Sequence, residues 1–307
     1  MGGKKTPSCL SSLMIAVLAV ACGGRGTTPA SPQPVAQVST PMGGGSGRMA
    51  YTSYRDKHYA IYVMNADGSQ PTRLAWTGGD DFFPAWSPDG QKIAFASKGT
   101  GFLQIHVMNR DGSGLVRLTD MPGHSRHPTW SPDGTRIAFD SYYRGMAEIF
   151  VMRADGSEPI CLTHCAAGAG NRQPKWSPDG TQIIYTSGCL GLSIHVMNAD
   201  GSQDRLLVEN GAMPAWSPDG GKIAFVRHQD GKLEVYVMNA DGSQPTRLTY
   251  TQADQLAPAW SPDGKKIAFV SYRDGGDEEI YLMNADGSEQ IRLTHNPGED
   301  GDPDWEP

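Results

Sequence analysis

The residues with most reach into chemistry are eight histidines, three cysteines in the body of the chain and a series of aspartates followed by glycine. Asp-Gly pairs invite a calcium reading. The alternating acidic ligands of a calcium loop are absent, however, and hairpin-turn chemistry accounts for the six repeated pairs. His106 and His195 stand where parallel segments hold Tyr62, Phe150, Tyr236 and Tyr281, so they read as packing substitutions. His124, His127, His164 and His295 fall between those segments at no shared position, a pattern without a common metal site. Neither an HExxH pair nor a GxSxG elbow occurs, which removes the usual carriers of zinc and serine hydrolysis. The expectation is no catalytic residue, no metal and no cofactor.

Strands must position these residues. The chain has 307 residues with 38 Gly and 22 Pro, too many breakers for helices. The breakers recur in fixed phrases. Trp-Ser-Pro-Asp-Gly begins at Trp86, Trp130, Trp176, Trp216 and Trp260, and a truncated copy starts at Trp305. Asn-Ala-Asp-Gly-Ser, with small variations, places Asp67, Asp111, Asp155, Asp200, Asp241 and Asp286. Six units of about 44 residues follow. In one unit, Pro84–Trp86, Lys92–Ala96, Ile105–Met108 and Val116–Thr119 read as four short strands. A single such sheet cannot bury both faces, whereas six around an axis can, so the expected fold is an all-β six-bladed propeller of four-stranded blades. The first unit starts at Arg48 with a second strand, and the chain ends in a first strand at Trp305. The C-terminal strand is therefore expected to pair into blade one and close the ring. The repeated Trp reads as packing between blades rather than as a ligand stack.

These units resemble the TolB-type, WD-like β-propeller repeats, through PxWSPDGxxIAFxS followed by IYVMNADGSxxxRLT. The resemblance covers residues 48–307 and implies a rigid platform for a protein or peptide in the cell envelope. TolB proteins carry an α/β domain before the propeller; here that region reads as a tether, so the chain is expected to lack that domain. Two other propeller families offer the alternatives. The prolyl oligopeptidases need a hydrolase domain that is missing. The oligogalacturonate lyases imply a channel-based, metal-dependent carbohydrate enzyme or small-ligand binder, which stands as the alternative function.

The N-terminus reads as an export signal over residues 1–22. Lys4 and Lys5 precede an apolar run from Leu10 to Ala21, too short to span a bilayer. Ala19-Val20-Ala21 fits an ordinary cleavage site, while the same residues with Cys22 resemble a lipoprotein lipobox, which implies lipidation of Cys22. Residues 23–47 are a Pro/Gly/Ser/Thr tether with a typical span of about 25–30 Å. The expected location is exported, on the periplasmic or cell-surface side of a bacterial membrane, with a lipid anchor as the only membrane contact. Beyond residue 47 the chain carries 23 basic and 33 acidic side chains, so nucleic acid is not an expected partner. The expected state is a monomer.

A four-stranded meander puts both tight turns of each unit on one face and the connections between units on the other. The tight turns repeat nearly unchanged, whereas the connections vary, and variable loops on a rigid frame are where specificity is placed. The candidate partner-binding residues on that face are Trp76, Asp80, Asp81, Phe82, Phe83, His124, Arg126, His127, Asn171, Arg172, Asn210, Asp254, Gln255 and Asp300. Trp76, Phe82 and Phe83 form an aromatic hot spot, or else Phe82 and Phe83 plug the channel mouth. Cys165 and Cys189 lie on that face in adjacent units, which leaves a disulfide between them open, with Cys161 in a slot otherwise held by arginine.

Overall fold

The computed structural model describes residues 47–307 apart from 76, 100, 144, 165–169 and 189–191. The leader, the tether, Cys22, Trp76, Cys165 and Cys189 therefore lie outside the described residues.

The repeats fold as six four-stranded antiparallel sheets. Their inner strands are Asp81–Trp86, Ser125–Trp130, Asn171–Trp176, Gly211–Trp216, Gln255–Trp260 and Asp300–Trp305. Each touches the inner strand of the next blade, and the last touches the first, so the ring is closed. Closure is made by the C-terminal strand. Met49 pairs with Trp305, Ala50 with Asp304, Thr52 with Gly301 and Ser53 with Asp300. Glu306 adds a clasp on the tight-turn face. Its carboxylate accepts from Arg48 Nε at 3.0 Å and from Arg110 Nη2 of blade two at 2.7 Å.

The turns explain their own sequence. In Ser87-Pro88-Asp89-Gly90 the Ser87 hydroxyl donates to Asp89 Oδ1 at 2.6 Å, and the same oxygen accepts the Gln91 N–H at 3.0 Å. That arrangement recurs at Ser131, Ser177, Ser217 and Ser261. The serine hydroxyls hold these aspartates below the usual carboxylate range, with Asp133 at about 2. Turn-internal hydrogen bonds thus occupy the aspartates that a calcium reading would need. In the second phrase Gly112 has φ 85°, and a Cβ there would lie 2.3 Å from the Leu74 carbonyl oxygen of the preceding blade. Both the dihedral and the close approach require glycine.

The core sits between blades. Trp86 packs with Ala50, Ile61 and Val63 of blade one as well as Ile93, Phe95 and Met108 of its own blade. Trp130 Nε1 donates across to the Ala85 carbonyl at 3.2 Å, and Trp305 Nε1 does the same to Ala259 at 3.2 Å. His106 and His195 lie on Phe95 and Tyr185 with ring centroids 5.7 Å apart in both cases. The pairs Phe139–Phe150 and Phe225–Tyr236 have that same spacing of 5.7 Å. Both histidines are therefore packing residues.

Two details differ from the sequence reading. The inner strands begin three residues before the expected start, at Asp81 rather than Pro84. Consequently Asp81, Phe82, Phe83, Arg126, His127, Asn171, Arg172, Gln255 and Asp300 are strand residues and not loop residues. The outer strands shrink to two residues in four blades, as in Val116–Arg117. There the arginine turns back: Arg117 Nε donates to Thr119 O at 2.7 Å and Arg247 Nε to Thr249 O at 2.6 Å, which ends the ladder.

Candidate functional site at the channel mouth

All six inner strands share one irregularity. The pairing register shifts between the second and fifth residues, as from Phe82 to Ala85 and from Arg126 to Thr129. The third residue takes a left-handed conformation: φ is 57° at Phe83, 50° at His127, 57° at Gln173, 53° at Met213, 47° at Ala257 and 52° at Asp302. None is glycine, and each precedes a proline. Proline fixes its own φ and offers no N–H to the ladder, so the strand bulges there. Bulges re-aim side chains, and here one stands at the same position of every inner strand. The Phe83 and His127 rings, from adjacent blades, are 4.0 Å apart. Met213 Sδ accepts the Ala257 N–H at 3.4 Å. Two residues further along, Lys175 Nζ of blade four lies 4.0 Å from Asp304 Oδ1 of blade one, its opposite number in a ring of six. The backbone of this ring is uniform, while its side chains are Phe, His, Gln, Met, Ala and Asp.

Charge is concentrated on blades one, three and four. Asp140, fully buried on the second strand of blade three, bonds His127 Nδ1 at 2.6 Å and accepts the Gln173 N–H at 3.1 Å. Arg126 Nε stands 3.5 Å from its other oxygen. Burial pushes the Asp140 carboxyl up, but His127 and Arg126 more than offset it and hold the group below its ordinary value. Asp302 accepts from the Thr52 hydroxyl at 3.0 Å, and Asp304 accepts the Trp86 N–H at 2.8 Å. Burial raises both, with Lys175 partly countering. Among the described residues no three His, Cys, Asp or Glu side chains come together as a metal site.

The sequence-read residues separate into three groups and one lone turn residue. Phe82, Phe83, Arg126, His127 and Arg172 come to the mouth. Phe82 lies 4.8 Å from Tyr59 and 5.8 Å from Phe83, so an aromatic row leads from blade one to the channel. Asp81, Asn171, Gln255 and Asp300 are buried and support the frame. Thr77, for example, donates to Asp81 by N–H and hydroxyl, and Gln255 donates to the Ala253 carbonyl. Asp80, His124 and Asp254 tie down the rim, accepting the N–H groups of Tyr59, Leu103 and Leu233 at 3.3, 3.0 and 2.8 Å. Asn210, exposed at φ 56°, is a turn residue. Sequence reasoning missed Asp140, Gln173, Lys175, Asp302 and Asp304. A signal was present, because Lys175 and Asp304 occupy the slot held elsewhere by Ala85, Thr129, Ala215 and Ala259.

Comparisons with known proteins agree with this architecture. The sequence profile of the TolB beta propeller domain matches residues 37–213 and 208–307. No curated protein matches. Among solved structures, TolB from Acinetobacter baumannii is 26% identical with a TM-score of 0.76, over 85% of this chain and 67% of that one. A putative TolB from Agrobacterium tumefaciens is 24% identical with a TM-score of 0.69, over 84% of this chain and 92% of that one. An oligogalacturonate lyase in complex with manganese shares the fold at 15% identity and a TM-score of 0.55, over 81% of this chain and 73% of that one. With every residue of the propeller inside the matched ranges and one bulged Pro-x-Trp strand in each of six blades, the chain belongs to the TolB beta propeller domain family.

Proposed function

We propose that this protein is an exported, lipid-anchored, non-catalytic propeller that docks a protein or peptide of the bacterial cell envelope on its variable face. The observation that carries the reading is the ring of six left-handed residues. A uniform, rigid backbone presents six different side chains at one level of the channel, which is the construction of a recognition surface. Membership of the TolB propeller family supports it. The path of the chain is consistent with anchoring behind that face, since the Gly47 carbonyl accepts the Ala66 N–H in a tight turn of blade one, opposite the mouth. Residues 1–22 and Cys22 supply the export signal and anchor in this reading, and Cys165–Cys189 is a candidate disulfide of the same face.

The test is affinity capture from native envelope with the full chain as bait, followed by titration of the identified, purified partner. Phe82→Ala with Met213→Ala is expected to weaken that partner at least about tenfold while the melting temperature changes by only a few degrees, since interface anchors of this kind carry about 1–2 kcal/mol or more. Full-affinity binding to the double variant, or no specific partner at all, would overturn the reading.

A further inference from the structure

We infer that the cleft between blades three and four, at the channel mouth, binds a carboxylate supplied by an acidic segment of the docked partner. This rests on the platform reading and names the chemistry of what the platform accepts. Arg126 pairs across the sheet with Asp140, whose carboxylate reaches the Gln173 N–H of blade four, so this face of blade three looks onto blade four. Tyr142 follows two residues after Asp140 and shares that face. Arg172 enters from blade four. The guanidinium Cζ atoms of Arg126 and Arg172 lie 4.7 and 5.8 Å from the same Tyr142 ring centroid.

The donors of this cluster are underused. Arg126 is only 8% exposed, and its Nε, the Arg172 Nε and the Tyr142 hydroxyl are buried without a hydrogen-bond partner among the described residues. Among the described residues of blade three Asp140 faces them: its Oδ1 serves His127 and Gln173 and its Oδ2 stands 3.5 Å from Arg126 Nε, so Arg172 Nε and the Tyr142 hydroxyl are the donors left over. Arg126 and His127 thus share the Asp140 carboxylate, and Arg172 stands beside them with no ion pair among the described residues, in a body whose charge is otherwise strongly acidic. Buried donors left unmade carry a desolvation penalty, and an arriving anion relieves it. Planar guanidinium forks match a carboxylate in paired hydrogen bonds, and a tyrosine hydroxyl can add a third. Gly170 lies directly against the Arg172 guanidinium, since a Cβ there would stand 3.2 Å from Arg172 Nη2.

The probe is a capped peptide Gly-Glu-Asp-Glu-Gly titrated into the full chain by calorimetry at about 0.15 M salt, with the Gln/Asn counterpart as control. The acidic peptide is expected to bind at least tenfold tighter than the amide peptide. Arg172→Gln and Tyr142→Phe, at half-buried residues, are each expected to lower that affinity several-fold, Arg126→Gln more, and Arg172→Lys less than Arg172→Gln. Melting curves separate lost binding from lost fold, and the two half-buried positions keep the test decisive should Arg126→Gln unfold. Equal affinity for both peptides, or unchanged affinity in Arg172→Gln and Tyr142→Phe, would sink the inference. Inorganic phosphate or acetate matching the peptide at equal concentration would assign the cleft to a free small anion and also overturn it. If the captured envelope partner binds wild type and Arg172→Gln alike but is lost with Phe82→Ala/Met213→Ala, the platform stands and the carboxylate site falls.

Discussion

At the residue scale the bulge ring stores backbone strain. A left-handed residue with a Cβ costs about 1–2 kcal/mol, and six of them recur at one level of the channel. At Ala257 the side chain is a single methyl, so little packing offsets the strain. Ala257→Gly is therefore expected to raise the denaturation midpoint, by about 0.5 kcal/mol once the extra freedom of glycine in the unfolded chain is subtracted. Gly112→Ala should do the reverse. It puts a Cβ 2.3 Å from the Leu74 oxygen at φ 85°, and a loss above about 1 kcal/mol in the same measurement is expected. An unchanged midpoint in both variants would show that these dihedrals are not under strain.

At the element scale the outer strands show how one repeat slot can change chemistry. The arginine of that slot donates to a threonine carbonyl two residues on, and in blade three Cys161 Sγ reaches the corresponding Thr163 carbonyl at 3.0 Å. Burial, with Glu148 adding to it, pushes the Cys161 thiol up to about 11. The thiol is thus protonated at neutral pH, and the thiolate is the reactive form. Alkylation of native Cys161 at pH 7.5 is expected to be at least tenfold slower than in the unfolded chain, read by peptide mass spectrometry. What was legible in the sequence follows the same logic. The blade count, the turns, the interblade tryptophans and the ring closure were readable because a fixed phrase repeats six times. The inner-strand bulge was hidden, since left-handed residues are recognised by glycine and this slot holds Phe, His, Gln, Met, Ala and Asp. Asp140, Lys175 and Asp304 were visible only as departures from the repeat, and no spacing rule joins Lys175 to Asp304 across the axis. The arginines of the mouth were found because they sit where the repeats differ, at the start of the inner strands, but their convergence on Tyr142 needed the interblade geometry.

At the scale of the whole molecule, stability depends on one noncovalent seam, and the closing strand Asp300-Gly301-Asp302-Pro303-Asp304 loads it with acid. Burial first, and Glu279 second, push Asp300 up to about 7 against Ser53 and Arg55. Glu278, beside the strand, is pushed up to about 8 by burial, with Asp302, Glu299 and Asp300 adding to it and the Tyr272 hydrogen bond opposing. Burial likewise raises Glu299, Asp302 and Asp304. A carboxyl raised in the folded state binds its proton more tightly there than when unfolded. Its contribution is complete below the ordinary carboxylate range, near pH 4, and is lost as pH climbs through about 7–8. The turn aspartates have the opposite sign, because their lowered values make acid below about pH 4 destabilising. The two trends place the expected stability maximum near pH 5, with a decline toward pH 8.5 worth a few kcal/mol, since each tenfold gain in proton affinity on folding is worth about 1.4 kcal/mol. Asp300→Asn and Glu278→Gln should each flatten that decline and raise the melting temperature at pH 8.5, while Glu306→Ala, which removes the clasp to Arg48 and Arg110, should lower it at every pH. Thermal melts of the four proteins from pH 4.5 to 8.5 decide the matter: a wild-type curve that rises over this range, or a slope untouched in both carboxamide variants, would place the pH dependence elsewhere than the seam.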